Sequence, residues 1–335
     1  MTAGIEDVAR AAGVSTATVS RALRGLPGVS ERTRAAVARL AREMDYSPSR
    51  SASSLSSGKT RSIGIVVPAV SRWFFATAIE GAAKALRDAD YDAILYSIPD
   101  STSPRKPFDA EQLRSRVDGV LVMSMPFTEE EARALRRLQV PAAFVSVAQP
   151  GFNQVGIDDV AAAVTAVNHL IDLGHEVIGH VSGAGTDSNS SSPTSRRREG
   201  WRKALTSAKL EASEELDAPS DITAVGGYQA AKTLLSRRND ITAILASSDE
   251  AAFGIVAAAR DLGLSPGVDL SIIGIDGHDL GEFTGLSTVE QPVFAQGEAA
   301  ASLLLDSVGG SEKAVQRIEF ETKLVVRSST NRRNY

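Results

Sequence analysis

The sequence predicts a small helical head joined to an α/β body of two lobes, each a parallel sheet flanked by helices. Three observations carry that expectation. Charge is uneven: residues 1–61 hold 10 basic and 5 acidic residues, leaving 26 basic and 36 acidic in the remainder of a chain of net charge −5. Two short amphipathic helical patterns, separated by a glycine turn, open the chain. From residue 62 onward continuous apolar runs alternate with amphipathic segments, the pattern of buried parallel strands with crossover helices. A basic head on an acidic body points to a nucleic-acid module attached to something else.

The head comes first. In "GIEDVARAAGVSTATVSRALRG" the residues Ile5, Val8, Ala9 and Ala12 recur at helical spacing, with Glu6 and Asp7 in the first turn where the macrodipole favours acid. Gly13 is free to take positive φ and end the helix, and Val14 fills the corner. Ser15 is a good N-cap for a second helix, Thr16 to Arg24, whose Val19 and Leu23 face inward. Gly25 and Pro27 end it. Ser30 caps a third helix with Ala36, Val37, Leu40, Ala41 and Met44 as its apolar stripe, and Pro48 forces Ser47 out of helical geometry. This is a helix-turn-helix with a supporting helix. Its second helix exposes Thr16, Ala17, Ser20, Arg21 and Arg24. Thr16 offers a hydroxyl and a methyl, Ala17 a methyl for thymine, and Arg21 a fork suited to guanine. A three-helix cap with solvated arginines is the bland alternative. The agreement of turn, cap and spacing favours DNA.

In the body the strand candidates are 62–67, 91–98, 119–124, 142–147, 176–182, 241–247 and 270–276, with amphipathic segments such as "FATAIEGAAKALRDAD" and "GYQAAKTLLSRR" between them. There are too many units for one sheet, hence two lobes. Ligands in such folds sit at the carboxyl ends of the strands, and a cleft between lobes is the natural site.

Composition removes other classes. No cysteine is present, so disulfides, thiolate metal sites and cysteine nucleophiles are excluded. The four histidines, His169, His175, His180 and His278, make no metal-binding pattern, and no cofactor is expected. No apolar run of membrane-spanning length and no charged-then-apolar leader is found, so the expected location is the cytoplasm, on the nucleoid. "SGKT" at 57–60 resembles the end of a phosphate loop, but position 53 is serine and a strand follows rather than precedes it.

The segment "IEDVARAAGVSTATVSRAL…VSERTRAAVARLAREMDYSPSRSASSL" resembles the DNA-binding head of the LacI/GalR transcription regulators. The shared pieces are D-V-A, A-G-V-S, T-V-S-R, V-S-x-x-T-R, and Y-x-P followed by a hinge ending in leucine. The resemblance implies a head over 1–48, a hinge over 49–61, a first lobe from 62–160 and 292–323, and a second from 161–291 and 324–335. It implies DNA contacts by Ser15, Thr16, Ala17, Ser20, Arg21, Arg24, Ser30, Tyr46, Arg50 and Leu55. Leu55 would be an apolar wedge in the minor groove, on a serine-rich segment that folds on DNA. Two departures stand out: Gly4 caps the first helix where threonine is common, and Ser53 stands where the hinge often carries arginine.

In the body the resemblance implies a small-molecule effector, most simply a sugar, between lobes crossed three times by the chain. The crossings would fall near Val160, at 287–292 and near Lys323. Trp73, Phe74 and Phe75 adjoin one another where the family commonly reads N-P-F-F, and aromatic faces stack well on a pyranose or a base. Phe74 and Phe75 are the preferred contacts over Trp73. "TSRRREGW" matches R-x-x-G-W at Arg197, a planar fork for neighbouring hydroxyls, with Arg196 and Arg198 solvated. Asp249, Asp276, Asp158 and the strand-end Ser124 complete the expected effector set, Asp158 being preferred over Asp159. Ile222 falls where several members place an aromatic.

The resemblance also implies a homodimer reading a pseudo-palindromic operator. With no leucine heptad after residue 327, a tetramerising helix is not expected. The alternative is a sugar-binding module or a glycoside hydrolase with an accessory helical domain, in which the aspartates would pair for acid–base work.

Overall fold

A computed structural model describes residues 3–46, 59–98, 107–183, 192–310 and 314–333. It separates into two compact units, 1–61 and 62–335.

The first unit holds three helices, α1 (Ile5–Ala12), α2 (Thr16–Leu23) and α3 (Glu31–Glu43). Gly13 ends α1 at φ +65°, the left-handed conformation that glycine adopts without penalty. The Asp7 carboxylate accepts from the Gly4 N–H at 2.9 Å, the half of a capping box that needs no side chain at Gly4. Ser15 and Ser30 each accept a backbone N–H, from Thr18 at 3.1 Å and Thr33 at 3.2 Å. The interior is small: Val8, Val19 and Val37 are its fully buried members, closed round by Ala9, Ala22 and Ala41. Pro48 lies outside the described residues, with most of the hinge.

The second unit is two six-stranded sheets. Lobe 1 carries β1 (Ser62–Val67), β2 (Asp92–Ser97), β3 (Gly119–Met123), β4 (Ala142–Val145), β5 (Asn153–Ile157) and β11 (Arg317–Phe320), ordered β11-β5-β4-β3-β1-β2 and parallel throughout. Lobe 2 carries β6 (Ile178–Gly183), β7 (Asp217–Ser220), β8 (Ala243–Ala246), β9 (Ser271–Asp276), β10 (Ser287–Glu290) and β12 (Lys323–Val325). Its order is β12-β10-β9-β8-β6-β7, with only β12 antiparallel.

The covering helices are α4 (Trp73–Asp88), α5 (Glu129–Arg137), α6 (Asp159–Asp172), α7 (Pro193–Ser207), α8 (Ala224–Arg237), α9 (Asp249–Asp261), α10 (Leu280–Thr284) and α11 (Val293–Val308). The tightest packing in lobe 1 is α4 on α11. A Cβ on Gly81 would lie 2.0 Å from the Phe294 carbonyl, and one on Gly297 would lie 1.9 Å from the Ala78 carbonyl. The two helices touch backbone to backbone, which only paired glycines permit.

The chain passes between lobes three times. It leaves β5 for α6 at Asp158, leaves β10 for α11 at Gln291–Pro292, and leaves β11 for β12 at residues 321–322. Each lobe has its own core, led by Ile63, Ile65, Leu121 and Phe144 in lobe 1 and by Trp201, Leu170 and Leu245 in lobe 2. Among the described residues no helix is long and apolar enough to cross a membrane.

Candidate functional site

Two sites can be built from the residues upward. On the head, Thr16, Ala17, Arg21 and Arg24 are exposed and Ser20 half-buried. The spacing, with steps of four between 16, 20 and 24 and between 17 and 21, lays them along one side of α2, while Val19 and Ala22 fill the interior. Ser15 and Ser30 are exposed caps, so their hydroxyls are committed to helix starts. Tyr46 is half-buried against the head interior, and its N–H bonds the Ala41 carbonyl at 2.8 Å. Arg50 and Leu55 lie outside the described residues.

The second site lies where the carboxyl ends of both sheets meet the crossings. Arg197, on α7, is its centre. The guanidinium Nε donates to Asp159 at 2.8 Å, and Nη1 donates to the Ser247 carbonyl at 2.5 Å and to Asp276 at 3.2 Å. Asp276 also accepts from Gln291 Nε2 at 2.8 Å, and Gln291 accepts from Gln296 Nε2 at 2.8 Å. Asp159 begins α6 just past the first crossing and Gln291 stands at the second, so one hydrogen-bond chain runs from lobe 2 through both crossings into α11 of lobe 1.

Asp249 lies beside this chain, fully buried. Its carboxylate accepts from the N–H groups of Gly277 at 2.9 Å and His278 at 2.8 Å and from Thr288 Oγ1 at 2.7 Å. One arginine thus shares a buried cluster with Asp159, Asp249 and Asp276. Burial pushes all three carboxyls up. Arg197 opposes the rise at Asp159 and Asp276, whereas Asp276 adds to it at Asp249, which reaches about 7. Burial disfavours the Arg197 charge as well, but Asp159 and Asp276 outweigh it and hold the guanidinium above its ordinary value.

Four non-glycine residues at strand ends here have positive φ: Ser124 (+49°) after β3, Ser146 (+62°) after β4, Ile222 (+56°) after β7 and Asp276 (+142°) at the end of β9. Backbone held in such regions costs on the order of 1–3 kcal/mol each and gathers at ligand sites. Ser146 Oγ and Gln296 Oε1 are moreover buried without a hydrogen-bond partner.

Several expectations change in the structure. Phe75 is only 8% exposed and belongs to the lobe 1 core, with Phe74 half-buried beside it at 5.5 Å. Trp73, the least favoured of the three, meets the opposite lobe by stacking on His278 at 4.8 Å. On a helix, positions 73 and 75 are two steps of about 100° apart, so both cannot face the cleft. Asp158 caps α6, accepting from Val160 at 3.0 Å and Ala161 at 3.2 Å, and pairs with Arg196 at 3.1 Å. Burial raises its carboxyl, but those donors outweigh it and leave it below its ordinary value. It is the next residue, Asp159, that reaches Arg197. Arg196 and Arg198 are not simply solvated, since Arg198 Nε lies 2.6 Å from Asp217. Ser124 is half-buried at the end of β3, its N–H on the Val145 carbonyl at 2.8 Å.

Two arrangements resemble catalytic ones. Asp249 has both oxygens committed to donors and Asp276 is paired with Arg197, so neither is poised as a glycosidase acid or nucleophile. His180 lies 2.9 Å from Asp217 and 3.0 Å from Ser247 Oγ. His180 and Ser247 have no solvent exposure, however, so that serine has no substrate path; the trio ties β6, β7 and β8 together.

Comparisons with known proteins match both the head and the body. Residues 4–49 match the family model described as bacterial regulatory proteins, lacI family, and residues 167–330 match a periplasmic binding protein-like domain. The HTH-type transcriptional repressor PurR of Serratia proteamaculans (strain 568) is 33% identical over 333 residues, covering 98% of this chain and 96% of that one. A lac repressor dimer bound to operator and an anti-inducer superimposes with a TM-score of 0.86 at 25% identity, covering 99% of this chain and 100% of that one. A complex of the transcriptional regulator CelR with cellobiose gives 0.72 at 28% identity, covering 98% of this chain and 99% of that one.

Proposed function

This chain belongs to the lacI family of bacterial regulatory proteins, and from that premise we propose that it is a repressor whose grip on a pseudo-palindromic operator is set by a sugar held between its two body lobes. The observation that carries the reading is the hydrogen-bond chain Asp159–Arg197–Asp276–Gln291–Gln296. It threads two of the crossings about which the lobes would rotate, so a polyhydroxylated ligand inserted there changes contacts on both lobes at once. Differential contact of that kind is what couples an effector to a distant site.

The sugar assignment draws on the cluster's chemistry. Arginine and carboxylates side by side offer donors and acceptors to neighbouring hydroxyls, each of which needs a partner once buried. The orphaned Ser146 Oγ and Gln296 Oε1 extend the same demand to lobe 1. The cellobiose complex of the CelR regulator supports a carbohydrate.

Ser15, Thr16, Ala17, Ser20, Arg21 and Arg24 are the assigned operator contacts, with Ser30, Tyr46 and Arg50 at the backbone and Leu55 as the minor-groove wedge. Trp73, Ser124, Arg197 and Asp276 are the assigned effector contacts, with Phe74 beside them. Two heads are needed to read a palindrome. Phe283, 83% exposed on α10 beside exposed Leu280, offers lobe 2 of a second copy an apolar face.

A thermal-shift screen of mono- and disaccharides, sugar phosphates and nucleobases tests the effector class, since a ligand that binds only the folded state raises its melting temperature. A neutral sugar should raise it in the wild type and not in Asp276→Asn. A shift by a nucleobase alone would replace sugar with base in this reading.

A further inference from the structure

Arg72 and Trp73 belong to lobe 1 but spend their side chains on lobe 2. Arg72 is the N-cap of α4 and makes no side-chain cap bond of its own. Its guanidinium Nε donates to Glu250 Oε2 at 3.0 Å, Nη1 to the Asp221 carbonyl at 3.3 Å, and Nη2 to the Ile222 carbonyl. The other Glu250 oxygen accepts the Trp73 N–H at 3.4 Å. That N–H is one of the first-turn donors that a helix leaves unpaired. Glu250, in the first turn of α9, therefore completes the cap of a helix in the opposite lobe.

The ring contact lies alongside. Trp73 and His278 stack with 4.8 Å between centroids and 21° between planes, and His278 meets Phe253 edge to face at 5.1 Å. Each lobe 2 partner is itself braced. Asp249 fixes the His278 N–H, and the Ile222 carbonyl also accepts from Ser248 Oγ at 3.1 Å. The Arg72 and Glu250 side chains keep only 19% and 24% of their exposure, so this pair is shielded well beyond an ordinary surface bridge. Charge-assisted hydrogen bonds and an offset aromatic stack are the stronger members of their classes.

We propose that Arg72, Trp73, Glu250 and His278 form an inter-lobe latch that holds the effector cleft closed until an effector takes over its contacts. The proposal rests on the reading of the cleft as the effector site and adds its regulation. A ligand enters by replacing His278 on the Trp73 face and Glu250 on the Arg72 fork. The latch thereby filters ligands: a successful one presents a ring with a flat face and, beside it, an oxygen acceptor. A saturated sugar ring with its axial C–H face meets both demands, and an aliphatic cation meets neither.

The test needs neither effector nor DNA, so its failure and the failure of the regulator reading are separable. The chain has two tryptophans, and Trp201 is fully buried against His180. Acrylamide quenching of the full-length, ligand-free protein, with Trp73→Phe subtracted, isolates Trp73. In the wild type Trp73 should be weakly quenched. Glu250→Gln and His278→Ala should each red-shift its emission and raise its quenching constant several-fold, while the Trp201 signal and the melting temperature of Glu250→Gln stay as they are. A wild-type Trp73 already as quenchable as free indole, or one left unmoved by both substitutions, overturns the latch.

Discussion

The two lobes share an architecture but face each other differently prepared. Lobe 2 brings charge already matched: Arg197 between Asp159 and Asp276, Asp249 under three donors, Asp217 between His180 and Arg198. Lobe 1 brings small polar side chains on strained backbone, an indole and an arginine on the first turn of α4, and two polar atoms without partners. The lobes divide the labour. Lobe 2 is a preorganised anchor, its buried charges already held by partners within the lobe. Lobe 1 is the surface whose needs a ligand, or lobe 2 itself, must satisfy.

The largest effect should come from breaking the anchor. Arg197→Ala leaves Asp159 and Asp276 buried without their cation, and stranding one side of such a cluster costs about 3–5 kcal/mol. Urea unfolding of the body should show that loss, together with loss of any ligand-induced shift. Stability near the wild type would mean that lobe 2 is not preorganised by this ion cluster.

A slightly smaller effect should separate two neighbours on α4. Phe75→Ala empties lobe 1 core volume and should cost about 3 kcal/mol, as deletion of a buried phenylalanine does. Trp73→Ala should cost clearly less in the same assay, because its ring is spent on the opposite lobe. Equal costs would erase the distinction between core face and cleft face.

The smallest effect is in pH dependence. Burial and the neighbouring Asp276 raise Asp249 to about 7, above its ordinary carboxyl value of 3.8. Between those limits the folded state binds more protons than the unfolded one, so this group's contribution to stability is fullest at low pH and is lost as pH rises toward 7. Asp249→Asn should flatten that fall in a series of thermal melts between pH 4 and 8. An unchanged slope would assign the pH dependence to other groups.

Legibility from sequence followed locality. The head was readable because Ser15, Gly13 and Ser30 act within four residues, and each stands where its cap requires. The seven apolar runs became strands in place. The strands that escaped, β5, β7, β10, β11 and β12, are polar or short. β5 reads "NQVGI", and its Asn153 and Gln154 amides bond neighbouring backbone at 2.9 Å and 3.0 Å. β10 reads "STVE" and buries Ser287 and Thr288 against the C-terminal segment and Asp249. Strands whose polar side chains are satisfied only in three dimensions leave no apolar signature.

In the cleft, resemblance names Arg197, Asp276 and Asp158; of these Asp158 caps α6, and its neighbour Asp159 reaches Arg197. Both carboxylates are adjacent in sequence; which one caps α6 and which reaches Arg197 depends on helix phase. Arg72, Glu250 and His278 carried no motif at all. Their significance lies in meeting across two lobes, a relation between positions roughly 180 to 200 residues apart.

If the head reads DNA, selection from random duplexes by the full-length protein will reveal it. Enrichment of a pseudo-palindrome is the expected result. Its affinity should fall steeply between 50 mM and 200 mM salt, as release of phosphate counterions demands, and Arg21→Ala should relax the preference at one position of each half-site. Recovery of no shared sequence at low salt, or binding indifferent to salt and to Arg21, would contradict it.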